Sequence, residues 1–204
     1  QNAHAYLFTG SRGTGKTTCA KILAMALNCK HPAGGNPCLE CESCREIAND
    51  ETTDIVELDA ASNSGVSDVH ELQDQLAYTP VSCKYRVYNA LLKTIEEPPA
   101  HVIFILATTE LHKVPATILS RCQRFEFRRI EIADSSARLL SIARQEGVSL
   151  TQEAADMISR LSDGGMRDAL SLLDRCIAVS RDVTEDTVRS CAGVADNHHL
   201  YQLA

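Results

Sequence analysis

The stretch His4 to Leu27, HAYLFTGSRGTGKTTCAKILAMAL, decides how the chain is read. Within it Gly10, Ser11, Arg12, Gly13, Thr14, Gly15, Lys16 and Thr17 spell G-x-x-x-x-G-K-T, a phosphate-cradling pattern. Tyr6 to Thr9 form a short β-prone run before it. Lys16 to Leu27 read as a helix after it, with Cys19, Ile22, Leu23, Ala26 and Leu27 expected on the apolar face. A glycine turn between strand and helix aims successive backbone N–H groups at one point, where the helix N-terminus already favours negative charge. Lys16 is then expected to reach the β- and γ-phosphates of a nucleoside triphosphate such as ATP, and Thr17 to hold Mg2+ through its hydroxyl. The expected nucleotide contacts run from Gly10 through Thr18. A glycine turn that merely caps a helix is the plainer alternative, and the strand–loop–helix context argues against it.

The totals set bounds on the rest. A chain of 204 residues with 44% hydrophobic content is long enough for one or two domains with real cores. No apolar run approaches the roughly 18 residues that span a bilayer, and the opening QNAHAYLF lacks the basic and apolar regions of a signal peptide, so a soluble, cytoplasmic protein is expected. The formal net charge of −7 repels nucleic acid unless basic groups gather on one face or come from partners.

Nine cysteines could suggest a secreted disulfide scaffold, but the chain is large, the number is odd and four of them fall in one short segment, so metal binding in a reducing compartment fits better. Four of them, Cys29, Cys38, Cys41 and Cys44, follow the pattern C-x8-C-x2-C-x2-C across a loop with Pro32, Gly34, Gly35 and Pro37. Two-residue spacings converge thiolates on one ion, and four thiolates suit tetrahedral, structural Zn2+. An iron–sulfur cluster is the rival, but there the fourth cysteine follows the close-spaced three. His31 is a possible substitute ligand. The scattered Cys19, Cys83, Cys122, Cys176 and Cys191 are expected to be small buried hydrophobes.

A phosphate loop of this kind needs a carboxylate on a neighbouring strand to hold the metal, and usually a second to activate water. TDIVELDAA offers a strand, Ile55 to Leu58, followed by Asp59 as a fallback acid. The other place, KYRVYNALLKTIEEPPA, runs a strand over Lys84 to Tyr88 directly into a helix over Asn89 to Glu97, with Leu91, Leu92 and Ile95 at helical spacing before Pro98 and Pro99. No residues redirect the chain between them, and βα connections normally need several. Residues are therefore expected to be missing between Tyr88 and Asn89.

Further on, the apolar run Val102 to Ala107 reads as a strand buried on both faces, ending in Thr108 and Thr109. Ligands collect at the carboxyl ends of such strands. A short helix over Pro115 to Leu119, the triplet Ser120, Arg121, Cys122 and a strand over Gln123 to Phe127 follow. Beyond Arg129 the pattern is helical, with no strand signal. Leu139, Leu140, Ile142 and Ala143 mark one helix closed by Gly147, Thr151 caps a second, Met166 to Val179 form a third with Leu170, Leu173 and Ile177 on one face, and Thr184 to Cys191 a fourth. These read as a small helical lid. On spacing alone, Arg167 is as well explained by a pair with Asp163 or Asp168.

The P-loop stretch, the four-cysteine insert, ELDAASNSGV, NALLKTIEEPPAHVIFILATTE, ILSRCQRFEFRRI and DGGMRDALSLLD together resemble the gamma/tau subunit family of bacterial DNA polymerase III, the AAA+ ATPases of the sliding-clamp loader. The motifs cover nearly the whole chain and keep the family's order. The resemblance implies an α/β P-loop fold of the AAA+ class, with a parallel sheet, helices on both faces and a small all-α lid domain. Residues 1–130 would form the nucleotide-binding domain, with a zinc insert at about 29–44, residues 131–194 the lid, and residues 195–204 the start of a collar domain. It further implies Thr109 as the polar sensor beside Thr108, Arg121 as an arginine finger for a neighbouring subunit's ATP, and Arg167 as a second sensor for the γ-phosphate. ATP, Mg2+ and Zn2+ are the implied cofactors; other clamp-loader subunits, the sliding clamp and primer-template DNA are the implied partners, within the nucleotidyltransferase holoenzyme.

Three departures are visible. The family's Asp-Glu segment after the strand ending at Tyr88 is not found, the leading segment that helps hold adenine does not precede His4, and the collar breaks off after VADNHHLYQLA. Two other classes remain in view. A non-hydrolysing structural subunit would explain absent acids, against intact Lys16 and Thr17. A zinc module for nucleic acid is opposed by Glu40, Glu42 and Glu46, which offset Lys30, His31 and Arg45.

Overall fold

The computed structural model describes residues 3–57, 80, 83–89, 100–114 and 116–193. The chain divides into two compact units, one of residues 1–10 and 16–127, the other of residues 11–15 and 128–204.

The first unit is built on five strands: β1 (Ala5–Gly10), β2 (Ile55–Glu57), β3 (Arg86–Asn89), β4 (Val102–Thr108) and β5 (Gln123–Phe127). Their order is β2-β3-β4-β1-β5, and every pairing is parallel. Central strands of a parallel sheet are covered on both faces, and the run Val102 to Leu106 in β4 is accordingly buried throughout, at 5% exposure or less. Successive side chains of a strand point to opposite faces, so the strands build two cores. Leu7, Phe104 and Leu106 pack with Ile118 of the short helix α3 (Ala116–Leu119) on one face. Tyr6, Phe8, Ile103 and Ile105 pack on the other with Ala20, Ala24 and Met25 of α1 (Lys16–Asn28) and with Cys44 and Ile47 of α2 (Glu42–Ala48). Helices thus lie on both faces.

The buried face of α1 differs from the expected one. Ala20, Ala24, Met25 and Asn28 are buried, Cys19, Leu23 and Leu27 flank them half-buried, and Ile22 is 44% exposed. Two alanines one turn apart let the helix axis approach the sheet closely, and this rotates the larger residues to the sides. Asn28 is buried with both ends of its amide bonded: its Nδ2 donates to the Ala24 carbonyl at 3.1 Å, and its Oδ1 accepts the Tyr85 N–H at 2.7 Å. Asp54, also buried, accepts the Cys83 N–H at 2.9 Å. Both polar side chains pin the approach to β3.

At the junction singled out in the sequence, Asn89 is the last residue of β3 rather than the first of a helix. Tyr88 and Asn89 stand opposite Val56 and Glu57, so parallel pairing with β2 keeps the chain extended through that point. The rest of the expected helix, with Leu91, Leu92 and Ile95, lies outside the described residues, as do Leu58, Asp59, Pro98, Pro99 and Pro115.

The second unit holds α4 (Ile132–Gln145), α5 (Gln152–Leu161), α6 (Met166–Val179) and α7 (Glu185–Ala192). Leu139, Ala143, Ala154, Ile158, Ala169, Leu173, Cys176 and Val188 form its core. Thr151 caps α5 as expected, accepting the Ala154 N–H at 3.2 Å. The expectation of helices alone is corrected by two short strands, β6 (Ser149–Leu150) and β7 (Asp182–Val183), which pair in parallel. They satisfy backbone groups that the inter-helix turns would otherwise leave open: Ser149 N–H donates to Arg181 O at 3.0 Å and Thr151 N–H to Val183 O at 3.2 Å. Of the scattered cysteines only Cys176 is buried; Cys19, Cys83, Cys122 and Cys191 are partly exposed. No described helix is long and apolar enough to cross a membrane.

Candidate functional site

β1 delivers the chain to Gly10 at the carboxyl end of the sheet, one residue beyond Thr9, which stands opposite Thr108 of β4. Gly10 has φ +139°, and a Cβ there would fall 2.2 Å from the Phe127 carbonyl oxygen, so only glycine can leave the sheet at this place. Thr14 Oγ1 donates to the Ser11 carbonyl at 2.8 Å and closes the loop on itself. Lys16, the first residue of α1, is buried, and its Nζ donates to the Gly10 carbonyl at 3.0 Å. That burial lowers the Lys16 pKa from the ordinary lysine value. Thr17 and Thr18 are exposed on the same first turn, where no acidic residue competes with an incoming anion. The Lys16 ammonium and a helix N-terminus with no acidic residue in its first turn therefore stand together where β1 ends, an arrangement that accepts phosphate.

The other expected groups are placed as follows. Thr108 Oγ1 accepts the Glu110 N–H at 2.9 Å, while Thr109 is exposed just beyond the end of β4. Arg121 is exposed after α3, its N–H donating to Ile118 O at 3.0 Å. Arg167, on the first turn of α6, is exposed, and Asp163 pairs with Arg129 rather than with it. Within the second unit Arg167 lies beside the loop: a Cβ on Gly13 would be 3.6 Å from Arg167 Cβ.

The four close-spaced cysteines do come together. Cys29 follows α1, a turn closed by paired Ala33 and Asn36 backbone bonds brings the chain back, and Cys44 sits buried on α2. The four Sγ atoms lie within 4.8 Å of one another. A tetrahedron with Zn–S bonds of about 2.3 Å needs sulfurs about 3.8 Å apart, so the set fits one ion with small adjustment. Backbone donors already favour thiolates: Cys29 Sγ accepts the N–H of Cys38 at 3.3 Å and of His31 at 3.4 Å, and Cys38 Sγ accepts that of Cys41 at 3.3 Å. The Cys38 N–H bond, first among the causes, lowers the Cys29 pKa. The backbone N–H of Lys30 leads in holding Cys41 down to about 6, whereas burial pushes Cys44 up to about 12. His31 is exposed and reaches the cluster through its backbone alone. Beside it Lys30 and Glu42 form an ion pair of 2.7 Å.

Asn28 and Asp54, whose buried side chains hold the approach to β3, are residues that sequence reasoning passed over. A polar residue at the buried end of an apolar helix was the available signal for Asn28.

A parallel sheet with a glycine phosphate loop after β1, an interior strand between β4 and β5, together with a helical second unit, defines a P-loop ATPase fold of the AAA+ class. The solved Thermotoga maritima RuvB Holliday junction branch migration motor shares it, with a TM-score of 0.60 and 18% identity over 94% of this chain and 61% of that one. The family described as DNA polymerase III, delta subunit matches residues 1–131, and the DNA polymerase III clamp loader subunit, ATPase lid domain, matches residues 135–182. The chain belongs to this family of DNA polymerase III subunits. Curated relatives include the tau subunit of Bacillus subtilis, 48% identical over 89% of this chain and 34% of its own length, and that of Escherichia coli, 39% identical over 98% and 33%. The chain thus spans about a third of these relatives.

Proposed function

We propose that this chain is an ATP-binding and hydrolysing motor part of the bacterial sliding-clamp loader, working in the cytoplasm with other clamp-loader subunits, the sliding clamp and primer-template DNA. The observation that carries the reading is Lys16, buried against the Gly10 carbonyl at the mouth of an unopposed helix N-terminus. Bound ATP with Mg2+ supplies the phosphoryl group and the divalent charge. The backbone N–H groups of the loop hold the phosphates, Lys16 exchanges the Gly10 carbonyl for phosphate oxygens, and Thr17 offers its hydroxyl to the metal. Thr109, exposed just beyond the end of β4, orients the attacking water. Arg121, exposed on the surface, serves a neighbouring subunit's nucleotide, and Arg167 reads the nucleotide of its own chain, which makes turnover depend on assembly. Residues 131–194 act as the lid, residues 195–204 begin a collar, and one zinc on Cys29, Cys38, Cys41 and Cys44 ties the end of α1 to α2 without catalytic duty.

The natural polypeptide also carries residues between Tyr88 and Asn89 that this sequence lacks, and they hold the metal-binding and catalytic acids. The lengths of the matches support a missing segment, and its place is read from the sequence on either side of Tyr88. The B. subtilis match runs over 194 residues but takes in 89% of 204, about 182; the E. coli match runs over 214 against 98%, about 200. About a dozen positions in each lack a counterpart here.

Steady-state hydrolysis tests the motor reading: ATP turnover that is slow for the chain alone, rises on mixing with the other subunits, clamp and primed DNA, and is lost in Lys16→Ala. Turnover that survives Lys16→Ala would end it. A proteolytic peptide of the natural protein whose mass matches this sequence across Tyr88–Asn89 would remove the missing segment and favour a non-hydrolysing subunit.

A further inference from the structure

The strongest N-cap residues all carry a Cβ, yet α6 is capped by a glycine. Gly165 has φ −97° and ψ 106°, a conformation open to any L residue, so its backbone does not call for glycine. Its surroundings do. A Cβ on Gly165 would lie 3.3 Å from the Arg12 carbonyl oxygen, 3.3 Å from that of Ser162 and 3.2 Å from Asp168 Oδ2. From the other side, a Cβ on Gly13, which has φ +77°, would lie 3.2 Å from Gly165 Cα. The two glycines meet backbone to backbone inside the unit that groups residues 11–15 with α6.

We propose that this glycine pair docks the phosphate-binding loop on the start of α6, and that Gly165 is thereby a positioning residue for the nucleotide. The inference rests on reading Gly10 to Thr17 as the nucleotide loop. Gly165 has little room to retreat. Its N–H donates to Ser162 O at 2.9 Å, its carbonyl accepts the Ala169 N–H at 3.0 Å, and behind it Ile130 N–H donates to Gly164 O at 3.2 Å while Arg129 pairs with Asp163. An added methyl can displace the Asp168 carboxylate, but against the Arg12 and Ser162 carbonyls it must move backbone. The loop therefore shifts, and nucleotide binding registers displacements well under an ångström. The same contact makes the start of α6, with Arg167, move with the loop.

Gly165→Ala in the full chain is the test. Without nucleotide, amide hydrogen exchange at Ser11 to Gly15 should be faster than in wild type, with α5 unchanged. Affinity for a fluorescent ATP analogue with Mg2+ should fall roughly tenfold. Gly193→Ala, at the left-handed end of α7 where a Cβ meets nothing within 4 Å, strains only its own turn and should alter neither readout. Exchange in the loop that is unchanged by Gly165→Ala overturns the docking contact, whatever nucleotide does. Faster exchange in a protein whose wild type binds no nucleotide leaves the docking standing and defeats the nucleotide reading instead. Wild type alone gives a second check that needs no variant: ADP, which has no γ-phosphate for Arg167, should slow exchange at residues 166–169 together with residues 11–15. Slowing confined to the loop contradicts the proposal.

Discussion

Lys16→Ala separates a lysine kept for nucleotide from one kept for the fold. In the wild type Nζ donates to the Gly10 carbonyl at 3.0 Å. A hydrogen bond from a charged group contributes about 1.5–3 kcal/mol, and burying the ammonium costs a comparable amount, so the nucleotide-free variant should stay within about 1 kcal/mol of wild type. For a chain of this size that is about 2–4 °C in Tm. ATP with Mg2+ at a hundred times Kd stabilises the folded state by about 2.7 kcal/mol, and hence raises the wild-type Tm by about 5–11 °C. In Lys16→Ala that rise should nearly vanish. Differential scanning fluorimetry with and without nucleotide reads both quantities. The sign with pH follows from burial: the folded state binds this proton less tightly than the unfolded, so the penalty is present at neutral pH and is relieved as pH rises toward the ordinary 10.5. Lys16→Ala should remove that slope. An undiminished ATP shift in the variant, or a loss of more than about 3 kcal/mol without nucleotide, would refute the reasoning.

Chelation should remove one zinc per chain and lower Tm, and Cys44→Ser should abolish one-to-one zinc content by atomic emission; an unchanged metal ratio in that variant would exclude the four-thiolate site. In metal-free protein near neutral pH, iodoacetamide should label Cys41, held near 6, well before Cys44, pushed up to about 12, with mass mapping to check the order. Leu139→Ala or Ile158→Ala, both fully buried, should cost about 2–5 kcal/mol in urea unfolding through the cavity each leaves. Arg121→Ala should leave the isolated chain's nucleotide affinity unchanged within about twofold while lowering turnover of the assembled complex about a thousandfold; equal turnover in the assembly would remove its role.

Much of this was legible because it depends on local chemistry. The unbroken apolar run of β4 forces a doubly covered strand, and the spacing of Cys38, Cys41 and Cys44 brings sulfurs to one point across a single turn of chain. Gln123 to Phe127 and Met166 to Val179 fall where their patterns put them. What escaped depends on partners distant in sequence. The rotation of α1 follows from how closely Ala20 and Ala24 approach the sheet, which side-chain periodicity alone does not encode. The β6–β7 pair joins residues more than thirty apart by backbone bonds, with two residues in each strand and no alternation to read. Gly165 carried no signal in the sequence, since the crowding at its Cα comes from Arg12, far away in the chain.

Native mass spectrometry of the zinc-loaded protein with ATP and Mg2+ tests the central claim most directly. The account predicts one nucleotide and one zinc per chain for wild type, and zinc without nucleotide for Lys16→Ala. A wild-type spectrum with no nucleotide adduct at saturating ATP, or an adduct that persists unchanged in Lys16→Ala, would contradict it.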